Sequence, residues 1–149
     1  MGVIPALILW FSGRLQEWSW DWLTGAGGGM LIALGMFLCW ETVSIFTEYG
    51  EGTPAPWAPP KKLVALGIYR HVRNPMMIGV WCVLLGESVF FHSPEIGGWF
   101  LFFLVACLLA IPLWEEKDLE KRFGESYREY KRHVPRWIPR FKPWPEGEE

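Results

Sequence analysis

Three apolar runs, Gly28–Phe46, Pro75–Phe91 and Gly97–Trp114, constrain this chain more than any other feature. A bilayer-crossing helix needs about 20 mostly apolar residues, with roughly 17 as the lower limit. All three meet it. A fourth run, Met1–Phe11, is short. It either borrows Gly13 to Trp18, with Arg14 snorkelling, or lies as a re-entrant or interfacial piece. No basic residue precedes it and no small-residue cleavage site follows, so a cleaved signal peptide is not expected. The sequence therefore predicts an all-α, polytopic membrane protein of about four transmembrane helices. At 149 residues it reads as one domain, with N-terminal spans over 1–47 and a core over 48–149.

Charge placement supports the bilayer reading and sets a topology. Only 20% of residues are charged, and they cluster. Of the 14 Lys and Arg, Arg14 follows the first run and none lies between Pro75–Phe91 and Gly97–Trp114. The other 13 lie between the second and third runs or after the last. The positive-inside rule then places both termini, the Gly67–Pro75 loop and the tail in the cytoplasm. The basic residues track a membrane face, so nucleic-acid binding is not expected. Cys39, Cys82 and Cys107 all sit in apolar runs without CxxC or Cys/His spacing and read as small apolar fillers. No metal site is expected.

Small residues from Gly25 to Gly29, then Ala33 and Gly35, predict close helix packing in the second run, within the chain or in a homo-oligomer. Tyr49–Pro60 is a Gly/Pro-rich connector. After Trp114 the chain turns polar in helical rhythm. Leu119, Phe123, Tyr127 and Tyr130 share one face of an amphipathic C-terminal segment that Gly124 is placed to interrupt. From Pro135 to Trp144, aromatics alternate with cations, a pattern suited to the headgroup layer.

Two places carry candidate chemistry. In Gly67-Ile68-Tyr69-Arg70-His71-Val72-Arg73-Asn74-Pro75 a cationic loop runs into an apolar helix. Asn74 suits the N-cap and Pro75 the first helical position. The free N–H groups of that first turn, the helix dipole, Arg70 and Arg73 predict a docking site for a small anion such as a carboxylate. The second place is Glu115-Glu116, just past the last apolar run. Pro112 frees the carbonyl of Leu108, so this helix end is expected to be kinked or irregular. The pair reads either as a solvated helix end or as ligands for ribose hydroxyls or an ammonium group. Glu41 and Glu87 are acids inside apolar runs: Glu41 lies near enough to the cytoplasmic end to face the loop, and Glu87 suits a structural role.

The ordered set Gly50-x-Gly52-Thr53-Pro54-x-Pro56, Gly67-x-Tyr69-Arg70-x-x-Arg73-Asn74-Pro75, Glu115-Glu116, Phe123-Gly124-x-x-Tyr127-x-x-Tyr130 and Val134-Pro135-Arg136 resembles the isoprenylcysteine carboxyl methyltransferase family. Its small bacterial members, related to the phospholipid methyltransferases, are the nearest in kind. The resemblance implies an integral protein of the bacterial inner membrane that uses S-adenosylmethionine. It implies methyl transfer to a lipophilic carboxylate, amine or thiol at the cytoplasmic interface. By the same resemblance Gly67, Tyr69, Arg70, Arg73, Asn74 and Pro75 form one wall of the cofactor pocket and Glu115 and Glu116 the other, with Gly50 and Gly52 as a further cofactor element. Arg73, Asn74 and Glu116 are the expected catalytic residues. The chain departs from the family pattern at Ile68, Asn74 and Met77, where Pro, His and Tyr are frequent. Asn74 keeps hydrogen bonding but carries no proton. Membrane sterol-type reductases with a nicotinamide cofactor carry a similar arginine–His–Pro signature in their C-terminal halves, but are usually much longer, with more spans. A non-enzymatic helical scaffold explains the spans and the aromatic tail but not the ordered Arg and Glu cluster.

Overall fold

The computed structural model describes residues 3–12, 21–49 and 63–145. These form helices α1 (Val3–Ser12), α2 (Trp22–Tyr49), α3 (Pro75–Phe90), α4 (Pro94–Ala110) and α5 (Glu116–His133). A 3-10 turn covers Gly67–Arg70 and a π turn covers Ile111–Glu115. No strand occurs among the described residues. The connector glycines Gly50 and Gly52, and Gly13 to Trp18, lie outside the described residues.

Among the described residues, two helical runs are long and apolar enough to cross a membrane: Trp22–Tyr49 and Pro94–His133, whose apolar part is α4. Helix α3, with 16 residues, and α1, with 10, are shorter. Large apolar side chains stand exposed along these helices, with Met30 75%, Trp40 74% and Phe102 63% accessible. In water a surface this apolar is a liability; against lipid tails it costs nothing. Glu41 and Glu87 are half-buried on α2 and α3.

The chain divides into two compact units. The first takes Met1–Phe37 with Met77–Leu108. Its central contact is antiparallel packing of α2 on α3 through glycines. Gly28 and Gly35 lie two turns apart on α2, as do Gly79 and Gly86 on α3. A Cβ built at Gly28 would lie 2.8 Å from the carbonyl oxygen of Gly86, and one at Gly86 2.8 Å from that of Gly28. At Gly35 it would collide with the carbonyl oxygen of Gly79. Lipid supplies no hydrophobic drive between helices, so close backbone approach is the available source of dispersion energy. The small-residue run thus packs within the chain at Gly28 and Gly35, while Gly27 and Gly29 face open space. In the same unit Ser93 caps α4: its Oγ accepts from the Ile96 N–H at 3.3 Å, and Pro94 takes the first helical position.

The second unit takes Leu38–Met76 with Leu109–Glu149 and holds every described candidate residue. Two small clusters organise it. Ile45, Val64 and Tyr69 form one, with Phe46 edge-on to Tyr69 at 5.2 Å. Tyr127, Tyr130 and Val134 form the other, against Leu119, Phe123 and Trp144. The interruption expected at Gly124 is present: α5 is two helical pieces that meet at a kink there, where Gly124 has φ 59° and ψ −127°, a conformation open in practice only to glycine.

The glycine contact makes a paired prediction. Helix propensity favours Ala over Gly by up to about 1 kcal/mol, so Gly29→Ala should be neutral or stabilising. Gly35→Ala should instead lower stability by about 1–3 kcal/mol, because two of the three obstructing atoms, Gly79 O and Val83 N, are backbone and cannot swing away. Thermal midpoints in detergent compare the two; equal midpoints would contradict the packing.

Candidate functional site

The site begins at Gly67, whose φ of 52° lets the chain turn into the 3-10 segment. That turn sends Tyr69 into the protein, where it is buried beside Ile45 and hydrogen-bonded to Thr42. Burial pushes its phenol well above the ordinary range, against the opposing effect of the Thr42 bond. Tyr69 therefore serves as a neutral anchor. Its carbonyl accepts from the Tyr130 hydroxyl at 2.7 Å, tying the loop to α5.

Beyond Tyr69 the loop is strapped to the C-terminal tail. The N–H of Arg73 donates to Pro135 O, that of Arg140 to His71 O, and that of Trp144 to Arg70 O, each at 3.0 Å. Side chains add to these main-chain bonds. Arg70 Nε donates to the carbonyl of Trp144. His71 Nδ1 lies 2.7 Å from the carbonyl of Arg140; a carbonyl only accepts, so Nδ1 carries the hydrogen. Asn74 Nδ2 donates to Arg136 O at 3.4 Å, and Arg140 Nη1 to His133 O at 2.7 Å. The Trp144 ring stacks on His133 at 5.9 Å and leans on Tyr130 at 5.7 Å. Helix α3 starts at Pro75, as the sequence predicts, and Pro75 is fully buried.

The helix end before the Glu pair is irregular, as Pro112 demands. The chain widens into the π turn, closed by a bond from the Glu116 N–H to Ile111 O. Glu115 is then exposed, while Glu116 is buried. Three cations meet the Glu116 carboxylate. Arg73 Nη1 lies 2.8 Å from Oε1. Arg136 forks across both oxygens, Nε to Oε1 at 2.6 Å and Nη2 to Oε2 at 2.8 Å. Lys131 Nζ is 3.5 Å from Oε2 and 2.6 Å from Glu120 Oε1. Burial alone would raise the Glu116 carboxyl, but the Arg136 hydrogen bonds and the charges of Arg73, Arg136 and Lys131 outweigh it, holding it below the usual carboxylate range. Tyr127, beside this pair, is pushed up to about 12, first by burial and then by the Glu116 charge.

The structure thus gathers Tyr69, Arg70, Arg73, Asn74, Pro75 and Glu116 in one assembly, with Glu115 next to it. The guanidinium of Arg70 engages the Trp144 carbonyl, and the carboxylate of Glu116 engages protein cations. Sequence reasoning missed the part played by Pro135, Arg136, Arg140 and Trp144. It gave the tail to the headgroup layer and did not foresee these contacts, in which Pro135, Arg140 and Trp144 bond to the loop and Arg136 to Glu116. Ile138 and Phe141 do face out, Phe141 wholly exposed. The signal was the pairing of Val134-Pro135-Arg136 with the arginine loop in one ordered motif set.

The chain belongs to the phospholipid methyltransferase family, whose sequence profile matches residues 23–126. It is similar to a protein-S-isoprenylcysteine O-methyltransferase of Rattus norvegicus, 26% identical over 93% of this chain and 51% of that protein. It is also similar to a methanethiol S-methyltransferase of Crocosphaera subtropica, 30% identical over 87% of this chain and 53% of that protein. A methanethiol S-methyltransferase of Mycobacterium tuberculosis is 27% identical over 90% of this chain. The chain spans about half the length of these relatives. No solved structure gives a significant match.

The Glu116 cluster has a pH signature. A carboxyl whose folded pKa lies below its unfolded value stabilises the fold above the unfolded value, and loses that contribution as pH falls through the folded one. Thermal stability in detergent should therefore show no Glu116-dependent change from pH 8 to 5 and a Glu116-dependent loss below about pH 4. Glu116→Gln, which leaves two guanidiniums facing a neutral amide, should cost about 3 kcal/mol near neutral pH. A Gln variant as stable as the parent across this range would contradict the buried-anion role.

Proposed function

We propose that this chain is a membrane methyltransferase that moves a methyl group from S-adenosylmethionine to a lipophilic acceptor at the cytoplasmic face of the membrane. Family membership supports the reaction class. The observation that carries the reading is at Arg73. Its side chain is only 8% exposed, yet its Nε–H is buried with no hydrogen-bond partner. Such a donor is costly to leave unmade. An anionic group that displaces the atoms covering it would satisfy it, and the cofactor has a carboxylate to offer; the residues present fit the group in this respect.

When bound, S-adenosylmethionine supplies a methyl group activated on a sulfonium sulfur. The protein's own tasks are then alignment and exclusion of water. In this reading Arg73 holds a carboxylate, that of the cofactor or of the acceptor, and Glu116 keeps Arg73 in place. Glu115, exposed beside it, binds ribose hydroxyls or the ammonium group. Asn74 orients, and as an amide it takes no proton. Gly50 and Gly52, by family pattern, line the cofactor. Relatives named for O- and S-methylation suggest acceptors that are carboxylates or thiols; a carboxylate is already an anion at neutral pH, whereas a thiol first gives its proton to water and reacts as the thiolate. All four apolar stretches cross the membrane in this reading, and both termini are cytoplasmic.

Three experiments test it. Calorimetric titration of the detergent-purified chain should show binding of S-adenosylhomocysteine and none of NADPH; the reverse pattern would place the chain with nicotinamide enzymes. Arg73→Ala should weaken S-adenosylhomocysteine by about 1–3 kcal/mol, the scale of a charge-assisted contact. Topology is checked by single cysteines at the exposed positions Glu95 and Lys142, with the native cysteines removed. Glu95→Cys should label from outside and Lys142→Cys only from inside; labelling from one side would remove a span from the count.

A further inference from the structure

We infer that Arg136 is a positioning residue that acts through Glu116 to set the orientation of Arg73, an inference that rests on the cofactor reading above. Arg73 meets Glu116 through a single nitrogen, Nη1 on Oε1 at 2.8 Å. One hydrogen bond does not by itself fix the plane of either group. Arg136 removes that freedom. Its Nε and Nη2 grip the two carboxylate oxygens together, and a fork of this kind fixes the plane of the acceptor. With the carboxylate fixed, the direction in which it holds Arg73 is fixed as well.

The backbone around Arg136 closes the same ring. Pro135 O takes the Arg73 N–H at 3.0 Å, and Arg136 O takes Asn74 Nδ2 at 3.4 Å. Two successive tail carbonyls thus hold two successive loop residues, while the Arg136 side chain holds the third member, Glu116. Lys131 is a poor substitute. It reaches Glu116 at 3.5 Å from one point and is shared with Glu120 at 2.6 Å. Arg136 is also the more accessible guanidinium, 30% exposed against 8% for Arg73. It reaches Glu116 from the solvent side, so its removal admits water without opening the core. The unpartnered Nε–H of Arg73 is the group whose aim depends on this arrangement.

The test measures S-adenosylhomocysteine affinity of the full-length chain in detergent, with folding of each variant checked by its thermal midpoint. Arg136→Ala should weaken binding on the order of tenfold, the range of coupling seen between residues of one network. Arg136→Lys, which keeps the charge but not the fork, should lose a smaller part. Ethylguanidinium added to Arg136→Ala should restore much of the loss, which a general loosening of the fold would not allow. In an Arg73→Ala background, Arg136→Ala should change affinity less than about twofold, because its effect passes through Arg73. Full additivity of the two, or undiminished affinity in both Arg136 variants while Arg73→Ala binds weakly, overturns the inference and leaves the cofactor site standing. Undiminished affinity in Arg73→Ala overturns the cofactor role of Arg73 and this inference together. If Arg136→Ala fails to fold, Arg136→Lys decides: affinity equal to the parent's overturns the inference, and a weaker one supports it.

Discussion

The second unit is organised around one buried carboxylate. Glu116 alone would be an expensive anion to remove from water. It is tolerated because Arg73 and Arg136 share its two oxygens and Lys131 stands close by. The three cations come from three places in the chain: the loop before α3, the last turn of α5, and the tail. A single charge therefore joins segments more than 40 residues apart in sequence. Such a cluster gives little net stability over a well-packed apolar core. Its worth lies in fixing one arrangement of groups, which an active site needs and an oily contact does not supply.

The π turn makes that anchor possible. Pro112 lacks the N–H that a continuing α-helix requires, so the backbone widens and closes again at Glu116. The extra residue turns Glu115 and Glu116 to different environments, one exposed and one buried. The main-chain bonds from Arg73, Arg140 and Trp144 then lace tail to loop. This gives the irregular segment the hydrogen-bond partners that a helix or sheet would otherwise provide.

In the first unit, glycine takes the part that large side chains play in soluble cores. The obstructing atoms at Gly28, Gly35 and Gly86 are largely backbone. Helices that touch this closely gain dispersion contacts while leaving their large side chains to the lipid, consistent with the exposure of Met30 and Phe102.

Much of this was legible in the sequence because the physics involved is local. Apolar runs imply helices in lipid; Pro75, Pro112 and Gly124 mark where helices start, widen or break. Gly28 and Gly35 show by spacing that something packs closely on α2, and the ordered Arg and Glu motifs mark the site. What the sequence left open depends on partners distant along the chain. Periodicity does not say that α3 receives the glycines of α2. Alternating aromatics and cations do not reveal which cations turn inward, and only the tertiary structure brings Arg136 onto Glu116 and Trp144 onto Arg70. A carboxylate's neighbours decide whether it binds a ligand or another side chain, and those neighbours are set by folding.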